Sequence, residues 1–365
     1  MARAKRLGVS AALVRGELVR GDVEVTGGRI TAVGVDGLRG RGIAAPGFVD
    51  LQVNGFGGVD FFSADSDAYR RAGEALLRTG VTAFQPTFIT SPEEELTDAL
   101  RALPRNGAAP HVLGAHLEGP FIAAERLGTH PLAARRDPDR ALLERLLEAG
   151  RVTHVTLAPE LPGADELIDL LRDRGVVVSC GHSNATAEEA HGAFARGART
   201  VTHLFNAMRP FSAREPGLAG AALASREVSV QVILDGVHLA DDTARLVWQA
   251  AAGRVALVTD AVAGAGLGDG SYRLASVNVE ITDGIARRGD SVLAGSTVTM
   301  MDAVRNLVQL GASEAAALAA ASEVPARIAG RDDVGRLAVG AEADIVVVDD
   351  ALELTRVVAG GADID

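Results

Sequence analysis

The sequence predicts an α/β protein, a (β/α)8 barrel of the TIM type with a small β-sandwich side domain formed by both chain ends. Two observations lead to this prediction. In the middle of the chain, eight short apolar runs typical of buried parallel strands alternate with helical patterns rich in Ala, Leu, Arg and Glu. Both ends instead contain short β segments separated by turn glycines. A length of 365 residues suits one barrel with an appendage.

The composition excludes several functional classes. A formal net charge of −12 argues against nucleic acid and anionic lipid as partners, because both require a basic protein face. No apolar run approaches the length of a membrane span, so no membrane role is expected. The basic residues near the start are not followed by an apolar segment or a cleavage site, which predicts a cytoplasmic protein.

The scarcity of cysteine and lysine restricts the chemistry further. Cys180 is the only cysteine, so a metal ion would have to be bound by histidines and carboxylates. Lys5 is the only lysine among 36 lysine and arginine residues. Schiff-base catalysis, a phosphate-loop lysine and a carbamylated lysine bridging two metals each need a lysine in the body of the chain, and none is present.

The predicted elements follow in chain order. Residues 1–45 and 336–365 are expected to form the side domain, and residues 46–335 the barrel. Its strands are predicted at 46–54, 81–88, 112–118, 152–157, 176–180, 200–203, 230–235 and 255–260, with helices including 139–149, 165–174 and 241–252. Residues 272–288 alternate apolar and polar side chains, which predicts an inserted hairpin before two closing helices at 297–310 and 313–329.

Polar side chains stand at the carboxyl ends of four predicted strands, namely Glu118, His182, His203 and Asp260. The carboxyl ends of barrel strands share one mouth, so these side chains are expected to face one another. One carboxylate and two imidazoles suit a catalytic divalent ion with an open position for water. A further carboxylate can take the proton of that water and return it to a leaving group, which favours a metal-dependent hydrolase.

Three other interpretations remain open at this level. Gly181-His-Ser183-Asn-Ala185 is similar to a serine-hydrolase nucleophile elbow, with Asp235 and His238 downstream, although Ala185 replaces the final glycine. The glycines after the first strand, at 55, 57 and 58, would fit a phosphate loop but lack the surrounding βαβ fingerprint, so turn geometry is favoured. The barrel would also serve as a catalytically silent binding scaffold if one of the four mouth residues were missing, and none is.

A series of sequence motifs lies in order between about Pro46 and Arg336. The segments are Pro46-Gly-Phe-Val-Asp-Leu-Gln-Val-Asn-Gly, His116-Leu-Glu-Gly-Pro-Phe, Gly128-Thr-His130, Gly181-His-Ser-Asn-Ala-Thr, Thr202-His-Leu-Phe-Asn206-Ala207-Met, Arg214-Glu-Pro-Gly-Leu-Ala-Gly, Asp235-Gly-Val-His238, Val258-Thr-Asp260-Ala and Leu293-Ala-Gly-Ser. Together they resemble the motifs of the N-acetylglucosamine-6-phosphate deacetylase family of the amidohydrolase superfamily. The resemblance implies hydrolysis of the acetamide of N-acetyl-D-glucosamine 6-phosphate, in amino-sugar catabolism and cell-wall sugar recycling.

The resemblance also assigns roles to individual residues. It implies Glu118, His182 and His203 as metal ligands, Asp260 as the catalytic acid and base, and His130 as a second catalytic group. Substrate contacts are implied for Thr129, His130, Asn206, Ala207, Arg214, Asp235, Gly236, Val237, His238, Leu293, Ala294 and Gly295. In the resembling family the arginine equivalent to Arg214 reaches the neighbouring subunit's site, which implies a homodimer.

The number of metal ions follows from the first strand. Relatives with two metals have His-x-His there, whereas this chain has Gln52-Val-Asn54, the variation found in single-metal members. The absence of a barrel lysine agrees with a single ion. We therefore expect one divalent ion per chain, with Zn²⁺ as the first choice and Fe²⁺, Co²⁺ or Mn²⁺ as alternatives.

Overall fold

A computed structural model of the chain describes residues 4–36, 40–104 and 109–364. Its first six strands build two small sheets beside the barrel. They are β1 (Lys5–Arg6), β2 (Ala11–Val14), β3 (Glu17–Arg20), β4 (Asp22–Thr26), β5 (Arg29–Val35) and β6 (Ile43–Pro46). Strands β1, β4 and β5 form a three-stranded antiparallel sheet, while β2, β3 and β6 belong to a second sheet.

The middle of the chain forms the predicted barrel. Its strands in chain order are β7 (Phe48–Val53), β8 (Gly55–Phe56), β9 (Val59–Asp60), β10 (Val81–Ile89), β11 (His111–Val112), β12 (Ala115–Glu118), β13 (Val152–Leu157), β14 (Val177–Cys180), β15 (Thr200–Val201), β16 (Ser229–Val232) and β17 (Val255–Leu257). Eight of these, β7, β10 and β12 to β17, run parallel around the barrel. A bridge between Val53 and Ala261 joins the two ends and nearly closes it. The glycine-rich turn connects β8 to β9 as a small hairpin.

Helices connect most of the barrel strands. They are α1 (Ser66–Arg78), α2 (Glu93–Arg101), α3 (Arg140–Ala149), α4 (Ala164–Asp173), α5 (Ala187–Arg196), α6 (Gly217–Ala224), α7 (Asp241–Ala251), α8 (Met300–Gln309), α9 (Glu314–Ala321) and α10 (Glu323–Ile328). Thr186 begins α5 with a capping box, since its hydroxyl accepts the Glu189 amide and the Glu189 side chain accepts the Thr186 amide. None of the helices in the described ranges combines the length and hydrophobicity needed to cross a bilayer.

One predicted helix is interrupted. The segment 313–329 divides into α9 and α10 at Ser322, which has non-helical backbone angles. Pro325 lies in the first turn of α10 and cannot donate a backbone hydrogen bond to the preceding turn, so the helix restarts instead of continuing. The Ser322 hydroxyl donates to the Leu318 carbonyl at 2.7 Å and satisfies one of the acceptors left at the end of α9.

The last strands complete two further sheets. They are β18 (Gly270–Leu274), β19 (Val277–Thr282), β20 (Ile285–Arg288), β21 (Val292–Leu293), β22 (Ile345–Val348), β23 (Leu354–Ala359) and β24 (Ala362–Ile364). Strands β18 to β21 form a four-stranded antiparallel insert, one strand pair more than the predicted hairpin. Strands β22 to β24 join β6, β2 and β3, so segments from both ends of the chain share one six-stranded sheet. His111 contacts this sheet through Asp344, with 2.9 Å between Nε2 and Oδ2.

Candidate metal centre and active site

The barrel mouth brings together the four strand-end residues that the sequence singles out. Glu118 ends β12, and His182, His203 and Asp260 lie within three residues after β14, β15 and β17. The last three have positive φ angles of 48°, 29° and 49°. This left-handed conformation is costly for residues with a side chain and is often found at functional sites. It turns each side chain out of the strand and into the mouth.

Glu118, His182 and His203 form a compact triangle of donor atoms. Oε1 of Glu118 lies 3.2 Å from Nε2 of His182 and 2.9 Å from Nε2 of His203. The two Nε2 atoms are 3.1 Å apart. Ligand atoms at about 2.0–2.2 Å from one tetrahedral ion lie about 3.3 Å from one another, so the spacing fits a single divalent ion.

The protonation state of this triangle also suits a bound cation. His182 Nδ1 lies 2.8 Å from the Arg126 carbonyl, which can only accept, so the ring proton is on Nδ1 and Nε2 presents a lone pair. Glu118 contributes another electron-rich atom to the same point. At most one proton, on His203 Nε2, lies among these three electron-rich atoms. A bound cation would relieve the repulsion between their lone pairs.

The state of Glu118 suits a metal ligand. The carboxyl group is buried, which would raise its pKa, but the neighbouring imidazoles of His130, His182 and His203 hold the pKa well below the usual range. Gln52 Nε2 donates a hydrogen bond to Glu118 Oε1 at 3.1 Å. Glu118 is therefore an anion in a fixed orientation.

Asp260 lies on the other side of the mouth and is fixed by an amide. Asn54 Nδ2 donates to its Oδ1 at 2.7 Å, which leaves Oδ2 to accept a proton. Burial, together with the negative charge of Glu118, raises the pKa of Asp260 to about 6. Gly295 passes close behind it with a φ of 69°, and a side chain there would meet the Asp260 carbonyl oxygen at 2.5 Å.

His130 also approaches this centre, and its hydrogen bonds define another role. Its Nε2 is 3.6 Å from Glu118 Oε2, and together with His182 these residues offer donor atoms within 4.8 Å of one another. However, its Nδ1 accepts the Thr90 backbone amide at 3.3 Å, and burial lowers the pKa of the ring to about 4. A neutral ring with Nδ1 as acceptor carries its proton on Nε2, so His130 presents a hydrogen-bond donor to the mouth and lacks the lone pair of a ligand.

A cavity of about 310 Å³ connects these groups. The structure places Thr129, His130, Asn206, Ala207, His238, Leu293 and Gly295 on its wall, together with Glu118, His182, His203 and Asp260. The remaining predicted contact residues Arg214, Asp235, Gly236, Val237 and Ala294 do not line it. Arg214 is exposed on the loop before α6, and Ala294 is buried behind the wall.

Asp235 acts on the cavity through His238. Its carboxylate accepts the backbone amides of Val237 and His238 at 2.9 and 2.8 Å and lies 2.7 Å from His238 Nδ1. This arrangement fixes the ring with Nε2 directed away from Asp235. The turn from Asp235 to His238 therefore holds the His238 ring in one orientation at the cavity wall.

The nucleophile-elbow interpretation is wrong. The Ser183 hydroxyl is buried, donates to Glu160 Oε2 at 2.8 Å and accepts the Ala185 amide at 3.0 Å. It is not on the cavity wall, whereas His238 is. A serine nucleophile needs a base within hydrogen-bond reach, so Ser183 has a structural role in the loop that follows His182.

Several residues that sequence reasoning did not assign to the site support it. Gln52 and Asn54 hold the two carboxylates, Thr90 fixes the tautomer of His130, and Glu160 accepts hydrogen bonds from Ser183 and from the Asn184 amide. Gln52 and Asn54 were identified only by their position in the motif. A signal existed for them, because alternate residues of one strand point to the same side.

A larger cavity of about 410 Å³ lies elsewhere, at the amino ends of the strands. Its wall includes Tyr69, Phe84, His111 and Arg151. In barrel enzymes the amino-terminal face contributes to stability and the opposite face carries the active site. The smaller cavity is therefore the candidate active site.

Comparisons with known proteins identify the wider group. A model of the amidohydrolase family matches residues 43–363. The N-acetylglucosamine-6-phosphate deacetylase of Bos taurus is 39% identical over 376 residues, covering 95% of this chain and 92% of that protein. The N-acetylgalactosamine-6-phosphate deacetylase of Escherichia coli O157:H7 is 35% identical over 323 residues, covering 86% of each.

A solved structure shows the same architecture. It is an aspartate-to-alanine variant of N-acetyl-D-glucosamine-6-phosphate deacetylase from Mycobacterium smegmatis, in complex with N-acetyl-D-glucosamine-6-phosphate. It superimposes with a TM-score of 0.93 at 36% identity, and the match covers 99% of both chains.

Proposed function

The chain belongs to the amidohydrolase family, and from that premise we propose that it hydrolyses N-acetyl-D-glucosamine 6-phosphate to D-glucosamine 6-phosphate and acetate. One observation carries the proposal. The Glu118–His182–His203 donor triangle and the amide-held carboxylate of Asp260 face one cavity that is large enough for a sugar phosphate.

Three ligands would hold the divalent ion, namely Glu118, His182 and His203. A divalent ion held by such a ligand set supplies Lewis-acid polarisation of the acetyl carbonyl and acidification of water. We propose one ion per chain, with Zn²⁺ as the first choice, because imidazole and carboxylate ligands with this spacing suit it.

Asp260 is the group placed to move protons. Its free Oδ2 accepts a proton from the attacking water as the new C–O bond forms, and returns it to the amine nitrogen as the C–N bond breaks. His130 donates its Nε2 proton as a hydrogen bond to the carbonyl oxygen while negative charge develops there. Asn206, Ala207 and His238 are the proposed sugar contacts, since they lie together after β15 and β16.

The test is a direct measurement of the reaction. The purified protein, supplied with Zn²⁺, Fe²⁺, Co²⁺ or Mn²⁺ in turn, is incubated with the 6-phosphates of N-acetylglucosamine and N-acetylgalactosamine and with unphosphorylated N-acetylglucosamine. We expect acetate release to be fastest with N-acetylglucosamine 6-phosphate. The galactosamine epimer is included because one relative acts on it by name. Absence of acetate release from all three substrates with every metal would refute the function.

The phosphate needs a cation that the described cavity wall does not provide. The wall contains no lysine or arginine among the described residues. Arg214 is exposed, and Phe211, three residues earlier on the same loop, is 55% exposed. We propose that a homodimer places Arg214 at the phosphate of the neighbouring site, where a guanidinium binds through two parallel hydrogen bonds.

Replacement of this arginine tests the phosphate contact. We expect Arg214→Ala to raise KM for N-acetylglucosamine 6-phosphate by about 10- to 100-fold, because a charge-assisted pair is lost. Hydrolysis of the unphosphorylated sugar should hardly change. Arg226→Ala, which removes another exposed arginine just after α6, is the matched control and should leave both KM values unaltered. Equal damage to both substrates by Arg214→Ala would instead assign Arg214 to loop or dimer integrity.

The setting of the reaction is also a proposal. The one cysteine, Cys180, is free and buried, so the described fold has no disulfide. This agrees with a reducing compartment, and we place the reaction in the cytoplasm.

A further inference from the structure

Two apolar side chains border the proposed reaction centre at the strand-two side of the cavity. Ile89 ends β10 and Leu274 ends β18 of the insert, and both line the cavity although they are only 1% and 2% exposed. They belong to one hydrophobic cluster, which also contains Val262 and Ala294. This wall of Ile89 and Leu274 is named the acyl wall below.

The strand register places the acyl wall beside the metal ligands. Ile89 is the parallel partner of Glu118, and paired residues of neighbouring strands project to the same side of a sheet. The next residue, Thr90, donates its backbone amide to His130 Nδ1. Ile89 is therefore beside a ligand of the metal and one residue before Thr90, which anchors the proposed oxyanion donor.

Barrel geometry places the sugar on the opposite side. The proposed sugar contacts Asn206 and Ala207 follow β15, which is the sixth barrel strand, while Ile89 is on the second. In a barrel of eight strands the second and sixth are diametrically opposed. An acetamide whose nitrogen joins a sugar on the sixth-strand side, and whose carbonyl carbon is at the centre, directs its methyl group towards the second strand.

We infer that the Ile89–Leu274 wall receives the acyl group and sets which N-acyl sugar phosphates the enzyme accepts. This inference rests on the proposed deacetylase function and extends it to acyl selectivity. An apolar wall suits a methyl group, because burying apolar surface is favourable and a carboxylated or hydroxylated acyl chain would leave polar atoms unpaired there.

The wall is fixed in place by a polar contact behind it. The turn after Leu274 donates the Ala275 backbone amide to Asp60 Oδ2 at 2.8 Å, and Asp60 itself begins a short 3-10 helix at the barrel rim. The carboxylate thus ties the insert to the barrel loop next to β10. A wall tied to the barrel in this way resists displacement by a longer acyl chain, which is the property that selectivity requires.

The experiment compares acyl chains within each enzyme preparation. The N-acetyl, N-propionyl and N-butyryl derivatives of glucosamine 6-phosphate are assayed by release of the free acid, with the wild type and the variants Ile89→Ala and Leu274→Ala. We expect the ratio of kcat/KM for butyryl over acetyl to rise about 10-fold or more in both variants, since one methylene in an apolar pocket changes selectivity by roughly 10- to 200-fold. The milder Ile89→Val should shift the ratio in the same direction by less. A ratio within one preparation does not depend on the fraction of folded protein.

Two control variants test whether the acyl wall itself, and not the cavity in general, sets the selectivity. Ile233→Ala shortens a buried aliphatic residue on the other side of the same cavity, and Leu267→Ala shortens a leucine that is 59% exposed and lies off the wall. Neither should change the ratio. A shift with Ile233→Ala and none with Ile89→Ala or Leu274→Ala would overturn the assignment of the acyl wall. A wild type that releases no acid from any derivative refutes the proposed function itself, which is a different outcome.

Discussion

Replacement of Asp260 by asparagine is expected to lower kcat by about 10²- to 10⁴-fold, the usual contribution of a general acid and base. The carboxamide is nearly the same size as the carboxylate but cannot accept the proton of the attacking water. The metal ligands are separate residues, so metal content should be retained. Substrate KM should stay close to the wild-type value because Asn206, Ala207 and His238 are unchanged.

The matched control for this variant is Asp269→Asn. Asp269 is an exposed aspartate that accepts the backbone amides of Asp283 and Gly284 in the insert, outside the cavity wall. Its replacement should leave kcat close to the wild-type value, because Asp269 is not on the cavity wall and its hydrogen bonds lie within the insert. Near-normal turnover of Asp260→Asn with full metal content would show that another group moves the proton.

The pH dependence of kcat/KM is an independent test of the role of Asp260. Burial and the charge of Glu118 raise the pKa of Asp260 to about 6, and a bound cation acts in the opposite direction. A base must be ionised to accept a proton, so kcat/KM of the wild type should fall as pH falls through this pKa. The acid limb should lie at or below about pH 6 and should disappear from the residual activity of Asp260→Asn.

The sequence predicts the barrel and its mouth because both follow from local pattern. Apolar runs bounded by turns identify the eight strands, and the carboxyl ends of parallel strands necessarily meet, so Glu118, His182, His203 and Asp260 are recognisable together. The exact strand ends are harder to predict. Strand β17 stops at Leu257, three residues before Asp260. The backbone leaves the extended conformation in this segment and has a positive φ at Asp260.

What the sequence does not reveal are contacts between distant segments. Asn54 and Asp260 are 206 positions apart and Gln52 and Glu118 are 66 apart, yet each pair forms a hydrogen bond. The tautomer of His130 depends on the Thr90 amide, and no motif near His130 signals this. The break at Ser322 was also missed, although Pro325 was a visible signal for it.

Removal of the metal should abolish acetate release more completely than any single substitution of a substrate contact. The metal contributes several kcal/mol of transition-state stabilisation, which corresponds to roughly 10³-fold or more in rate. Dialysis against a chelator and the variant His203→Ala should both reduce activity by at least that factor. His191→Ala, which removes an exposed histidine of α5, should keep both metal and activity. Activity that survives complete chelation would contradict a metal-dependent mechanism.

Elemental analysis should give one tightly bound divalent ion per chain. The reason is found in the residues of the first barrel strand. Gln52 and Asn54 face the carboxylates of Glu118 and Asp260 and must present their N–H groups to them, because a carboxylate only accepts hydrogen bonds. An N–H group cannot coordinate a cation, so neither amide presents a ligand atom towards the two carboxylates. Replacing both residues, Gln52→His with Asn54→His, restores an imidazole pair whose nitrogens can ligate. We expect elemental analysis to give one ion per chain for the wild type and up to two for this double variant, and two ions in the active wild type would refute the assignment of a single-metal site.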